Sequence, residues 1–260
     1  MVNKIFSNLS IKTREEKPKE SGLTVILDEK LGLKAQEDFL NLAGIYVDLA
    51  KIATGISSLI DDKTLKAKIK LYDTYQVGCF PGGQFLEYVI AKDQAKDYFS
   101  DLLSAGFKNV EVSDNLIDIT QETKCNLIKM ASQEYGLRVI GETGSKKVSS
   151  SLERLIDDIR ACLKAGAWKV MFEAAELFEN GRFKEETATT LLQEVDVKDL
   201  IFELPGYWIP GITISHIFSL QIWLIDHFGN NVNIGNVDDT QVLSLEAERL
   251  NLGACMKFEN

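Results

Sequence analysis

The sequence predicts a single-domain (β/α)8 barrel of the TIM type. Eight short β-rich runs recur along the 260 residues, spaced by about 30. The segments between them place apolar residues at helical spacing. Six of the runs end in an ionisable side chain: Asp28, Lys51, Asp114, Glu142, Glu173 and Glu203.

Residues 1–20 are polar and charged, and are expected to form a tail or an arm across the barrel, which itself occupies 21–260. The first run, LTVILD, ends at Asp28, and GIYVDLAK ends at Lys51. VGCFPGG ends at Gly82 and Gly83, and KNVEVSDN carries Glu111 and ends at Asp114 and Asn115. LRVIGE then closes on Glu142, KVMFE on Glu173, LIFE on Glu203 and NVNIGN on Asn236. Between them, DQAKDYFSDLLSAG sets Ala95, Tyr98, Phe99, Leu102 and Leu103 on one helical face, with Gly106 where a C-terminal cap falls. SLERLIDDIRACLKAG repeats that design with Leu152, Leu155, Ile156, Ile159 and Leu163 before Gly166, and Lys164 suits the helix dipole. No G-x-G-x-x-G follows the first run, which argues against an open dinucleotide-binding sheet.

Composition narrows the function. A net charge of -10 and a pI near 4.9 argue against nucleic acid or an anionic membrane as the main partner and leave a small-molecule substrate. The four cysteines are scattered without a C-x-x-C pair, and the two histidines are far apart, so no zinc spacing exists. Reduced thiols in a cytoplasm are the expectation. The N-terminal segment lacks the continuous apolar core of a signal peptide. The longest apolar segment, ITISHIFSLQIWLIDHFG, is interrupted by Ser215, His216, Gln221 and Asp226. It reads as a buried or interface helix rather than a membrane span, which leaves a homo-oligomer open.

Active sites of this fold lie at the C-terminal ends of the strands. The six ionisable strand ends should therefore converge on one mouth, where alone each would pass for a helix cap or a solvated carboxylate. Several carboxylates around one lysine point to a divalent cation with oxygen ligands, Mg2+ being the expected one. Asp28, Glu173 and Glu203 are the candidate metal ligands.

The segments KPKESGLTVILDEKLGL, LAKIATGISSL, PGGQFLE, VEVSDN, GETG, FEAAE, IFELP and NVNIGNV together resemble the strand-end motifs of the phosphosulfolactate synthase family, from about Lys17 to Leu252. The resemblance implies a barrel that adds sulfite to phosphoenolpyruvate with Mg2+, forming a carbon–sulfur bond. Related sequences include plant heat-stress-associated proteins, so an inactive binding barrel is the alternative. Lys51 falls at the family lysine and is the candidate general acid, with an ion-pair role equally open. Glu142 and Glu173 complete the catalytic candidates. Gly82 and Gly83 would let backbone N–H groups approach an anion, and Asp114, Asn236, Arg249 and Trp208 are further substrate-binding candidates.

The chain departs from the family pattern at three places. The family's E-A-R-E-S-G appears as Glu173, Ala174, Ala175, Glu176, Leu177, Phe178, so Ala175 stands for an arginine. K-F-G-W-G-T-S appears as KIATGIS, which keeps Lys51, Gly55 and Ser57 but loses the aromatic residue. In ERLNLGACM, Arg249 matches one family arginine, while Gly253 and Cys255 replace an arginine and an aspartate. Two missing arginines predict an altered substrate, such as a related enol acid with formation of a carbon–sulfur or carbon–carbon bond, as does the apolar Tyr207-Trp208-Ile209 cluster expected to overhang the mouth. Lys146, Lys147 and Arg182 are the cations that could compensate from loops.

Overall fold

The computed structural model describes residues 5–6, 8–144, 151–179 and 182–257, so Lys146 and Lys147 lie outside it, as does the Arg182 side chain. Eight parallel strands form the wall: β1 (Thr24–Asp28), β2 (Leu49–Ile52), β3 (Gly78–Pro81), β4 (Asn109–Val112), β5 (Arg138–Thr143), β6 (Lys169–Glu173), β7 (Leu200–Glu203) and β8 (Ile234–Val237). Nine helices return the chain between and after them among the described residues, including α2 (Asp62–Thr74), α3 (Gly83–Ile90), α6 (Leu152–Ala165), α8 (Ile214–Phe228) and α9 (Val242–Arg249). Gly106 and Gly166 cap their helices with φ of 103° and 112°, a conformation that costs other residues strain. An antiparallel pair of two-residue strands, Phe178–Glu179 with Arg182–Phe183, stands outside the wall. The barrel is the predicted one.

Side-chain alternation gives each strand two jobs. Val25, Leu49, Phe80, Ile140, Met171 and Ile201 point inward and fill the barrel as one buried cluster. Their neighbours Ile26, Ala50, Val110, Val139, Val170, Phe172 and Phe202 point outward and pack under the helices. Two residues above the inner cluster, alternation brings Lys51, Glu142, Glu173 and Glu203 inward again. A charged layer therefore sits directly on an apolar one.

The wall runs in the order β3-β2-β1-β8-β7-β6-β5-β4, which leaves a seam between β3 and β4 without a backbone ladder. Side chains close it instead. Asn109 Nδ2 donates to Cys79 O at 3.2 Å, and Gly83 N donates to Glu111 Oε2 at 2.5 Å. A Cβ on Gly83 would stand 2.4 Å from Ser113 Oγ, so the seam closes only around a glycine.

The N-terminal arm lies across the opposite end, over the strand starts. Lys17 Nζ donates to Gly44 O, Val47 O and Tyr75 O at 2.7–2.8 Å. Lys19 pairs with Asp48 at 3.3 Å, Glu20 accepts from Trp168 Nε1 at 2.9 Å, and Arg14 pairs with Glu246. Among the described residues no helix is long and apolar enough to cross a membrane. The apolar segment at 212–229 instead supplies α8, which buries Leu220, Trp223 and Leu224 against the barrel.

Candidate active site at the barrel mouth

Lys51 is the centre of the charged layer. Its Nζ donates to Glu111 Oε1 at 2.8 Å and to Glu203 Oε1 at 2.6 Å, and it is 6% exposed. Burial alone would lower the ammonium pKa, but Glu111, Glu203 and Glu142 outweigh it and hold the pKa well above the usual lysine range. Lys51 is therefore charged at neutral pH. Burial raises the pKa of Glu111, with Lys51 opposing that rise.

Glu111, Glu142 and Glu203 each bring a carboxylate oxygen to within 4.8 Å of the others, and all three are buried. This donor set fits a hard divalent cation that takes oxygen ligands. Three carboxyl groups face one ammonium, so a divalent cation would offset the negative charge they carry when ionised. A cavity of about 170 Å3 opens over Lys51 and Glu142, and Trp208 and Asn236 also line it.

Glu111 is the site residue that strand-end reasoning overlooked. It lies inside β4 rather than at its end, between the outward-facing Val110 and Val112. A carboxylate alternating with buried valines was the available signal, because burying it is costly without a partner. Glu142 is held from the side: Asn115 Nδ2 donates to its Oε1 at 2.6 Å. Glu173 lies level with Glu203, and its Oε1 accepts from Ala175 N at 3.3 Å, which fixes one oxygen toward its own turn.

The structure corrects several expected roles. Asp28 does not reach the mouth. It follows the inward Leu27 and so points outward, where Oδ2 accepts from Lys68 Nζ at 2.5 Å and from Tyr72 OH at 2.7 Å. Gly82 and Gly83 line the mouth cavity, but their N–H groups are engaged, Gly82 N donating to Ile52 O and Gly83 N to Glu111. Their lack of a side chain serves close packing instead: a Cβ on Gly82 would stand 2.6 Å from Thr54 N. Asp114 stands beside the mouth but accepts from Lys124 Nζ at 3.0 Å, and Lys124 also holds Glu142 O and Asp158.

Arg249 is at the wrong end for substrate. It is fully buried and donates to Gly22 O, Leu23 O, Thr24 Oγ1 and Val232 O, all at the strand starts. Gly253 and Cys255 follow it there, next to Glu248, which accepts from Ala254 N and Cys255 N. The arginine and aspartate missing from these positions therefore took no donor away from this mouth. Ala175, on the turn after β6, and Thr54, where the family aromatic is missing, are the departures that lie beside the mouth.

Of the predicted substrate-binding residues, Asn236 and Trp208 bring side chains to the mouth cavity. Asn236 carries φ of 55°, and the β1–β8 register slips there, from Thr24↔Ile234 to Ile26↔Val237. This bulge turns a side chain that would otherwise face the helices onto the cavity. Trp208 lies across Gly206, whose absent Cβ would meet the indole at 2.3 Å.

Glu87, inside α3 and wholly buried, organises this rim from behind. Its carboxylate accepts from Ser113 Oγ, Asn115 N, Leu116 N and Ile117 N at 2.5–3.1 Å. It thus shapes the loop that delivers Asn115 to Glu142. A Glu87→Gln substitution replaces an acceptor oxygen by a donor facing N–H groups. We expect it to lower stability by about 2–3 kcal/mol in urea unfolding, with the loss reversed by restoring the carboxylate as Glu but not by Asp.

A barrel with a lysine and clustered glutamates at the C-terminal ends of its strands has the layout of a TIM-barrel active-site mouth. Comparison makes this specific. The family model described as (2R)-phospho-3-sulfolactate synthase (ComA) matches residues 12–254, and the chain belongs to that family. It is 34% identical over 244 residues to the phosphosulfolactate synthase of Methanocaldococcus jannaschii, covering 90% of this chain and 92% of the relative. It is also 22% identical to Protein HEAT-STRESS-ASSOCIATED 32 of Arabidopsis thaliana, over 91% of this chain and 88% of the relative. Among solved structures, a 3-hexulose-6-phosphate synthase superposes with a TM-score of 0.53 at 14% identity, covering 90% of this chain and 99% of that one, which shows the shared fold.

Proposed function

We propose that this protein is a carbon–sulfur bond-forming lyase that adds sulfite to phosphoenolpyruvate or a related enol acid, assisted by Mg2+. The carrying observation is the contact of Lys51 with Glu111 and Glu203 beneath an open cavity. Glu111, Glu142 and Glu203 would hold the cation, which supplies Lewis-acid stabilisation of charge developing on the substrate. The sulfur lone pair forms the new bond to the methylene carbon, and the π pair moves toward the adjacent carbon and its carboxylate. Lys51 delivers a proton to that adjacent carbon. Asn115 keeps Glu142 turned to the cavity, and Asn236 and Trp208 bound the substrate on the far side.

Placing Gly253 and Cys255 at the far end weakens the case for a changed substrate, which now rests on Ala175, on Thr54 where the family aromatic is missing, and on Tyr207 and Trp208 at the cavity. The acceptor is read as phosphoenolpyruvate or a related enol acid. Phosphorus NMR of phosphoenolpyruvate with sulfite and Mg2+ tests the reading. A new resonance that grows with loss of phosphoenolpyruvate, and fails to appear with chelator, is expected. Binding of phosphoenolpyruvate without turnover would overturn it in favour of an inactive binding barrel.

A further inference from the structure

A second cavity of about 300 Å3 lies behind the first, between the 204–214 loop, the first turns of α8 and the end of β8. That is the lower end of the volumes small-molecule pockets use, about 300–1,000 Å3. One wall is apolar, with Leu204, Pro205, Ile212 and Ile217, while Lys30, Gln221 and Asp238 add polar groups elsewhere on the lining. Leu27, Glu29, Tyr207, Trp208 and Asn236 line both cavities, so the two share one partition. Tyr207 OH donates to Glu29 Oε1 at 3.1 Å, tying the loop to the end of β1 over that partition.

The partition itself is incompletely satisfied. Trp208 Nε1 and Asn236 Oδ1 are shielded from solvent and have no hydrogen-bond partner among the described residues. Asn236 Nδ2 donates to Leu204 O at 3.3 Å, which leaves the oxygen as the open acceptor. Buried polar groups are normally paired, so an unpaired donor and acceptor at one neck point to a ligand group with both capacities. A hydroxyl or a primary amide has both.

We propose that this rear cavity is a binding subsite for an apolar substituent of the substrate, attached through a hydroxyl- or amide-bearing carbon to the acidic head in the mouth. The proposal rests on the mouth reading given above for the position of that head. Phosphoenolpyruvate alone fills only the front cavity. Trp208 and Asn236 then act as specificity residues at the neck, and the depth of the rear cavity sets the accepted chain length.

Calorimetric titration of the full-length protein with Mg2+ and a series of 2-hydroxy acids tests this. Lactate, 2-hydroxybutyrate, 2-hydroxy-4-methylpentanoate and phenyllactate extend the same head by increasing apolar groups. The Kd should fall about fourfold for each buried methylene. Ile217→Trp, which fills the cavity from α8, should flatten the series while leaving lactate unchanged. Ile212→Trp does the same from the loop and serves if the helix variant folds poorly. A flat series in the unmodified protein overturns the proposal, as does failure of the branched and aromatic acids to bind. If phosphoenolpyruvate fails to bind with Mg2+ while the long acids still show the gradient, the mouth reading falls and the subsite stands. If phosphoenolpyruvate binds and the series is flat, the subsite falls alone.

Discussion

Replacing Lys51 by alanine is expected to lower kcat by about 10²–10⁴-fold, the usual contribution of a positioned acid–base group. The same change should strengthen Mg2+ binding, because it removes the ammonium that now neutralises Glu111 and Glu203. A purely structural lysine would give no such opposition of effects. Without metal, the variant should lose about 3–5 kcal/mol of stability, since two carboxylates buried to 0% exposure lose their shared cation. Adding Mg2+ should recover part of that loss. Steady-state kinetics, metal titration and urea unfolding on one preparation give all three readouts. Unchanged turnover would remove Lys51 from the chemistry and leave it an ion-pair partner.

The second large effect lies at the other end of the barrel. Arg249→Ala is expected to cost about 3–5 kcal/mol, because it leaves buried acceptors unpaired at the starts of β1 and β8. Remaining folded protein should bind phosphoenolpyruvate with an unchanged Kd. A substrate-binding arginine would show the reverse, with a weakened Kd in a protein of normal stability. Urea unfolding followed by calorimetry on the folded variant separates the two.

Much of this architecture was legible. Period, apolar alternation and glycine caps sufficed for the barrel, because each depends on local backbone geometry that the chain repeats. The convergence of Lys51, Glu142, Glu173 and Glu203 followed from strand direction. What failed was the treatment of the last residue of a run as an inward one. Asp28 sits one position beyond the inward Leu27, and that single step sends it outside the wall to Lys68 and Tyr72. Glu111 was missed for the same reason in reverse, being inward but not terminal.

Arg249 was open to correction from direction alone. A helix that follows β8 must return to the strand starts, so its last turn lies away from the mouth. The seam between β3 and β4 was not legible, because it depends on register across the closed sheet rather than on any local pattern. Nor was Glu87, whose donors belong to a loop some 28 residues further along the chain. Its role arises only when α3 packs under that loop.

Glu111, Glu142 and Glu203 are proposed to hold a divalent cation beside Lys51, which diffraction from crystals soaked in Mn2+ and phosphoenolpyruvate, collected at the manganese edge, would test. An anomalous peak is expected within coordination distance of those three carboxylates, with the substrate in the cavity above it. Bound phosphoenolpyruvate with no peak among them, or a peak held by other residues, would contradict it.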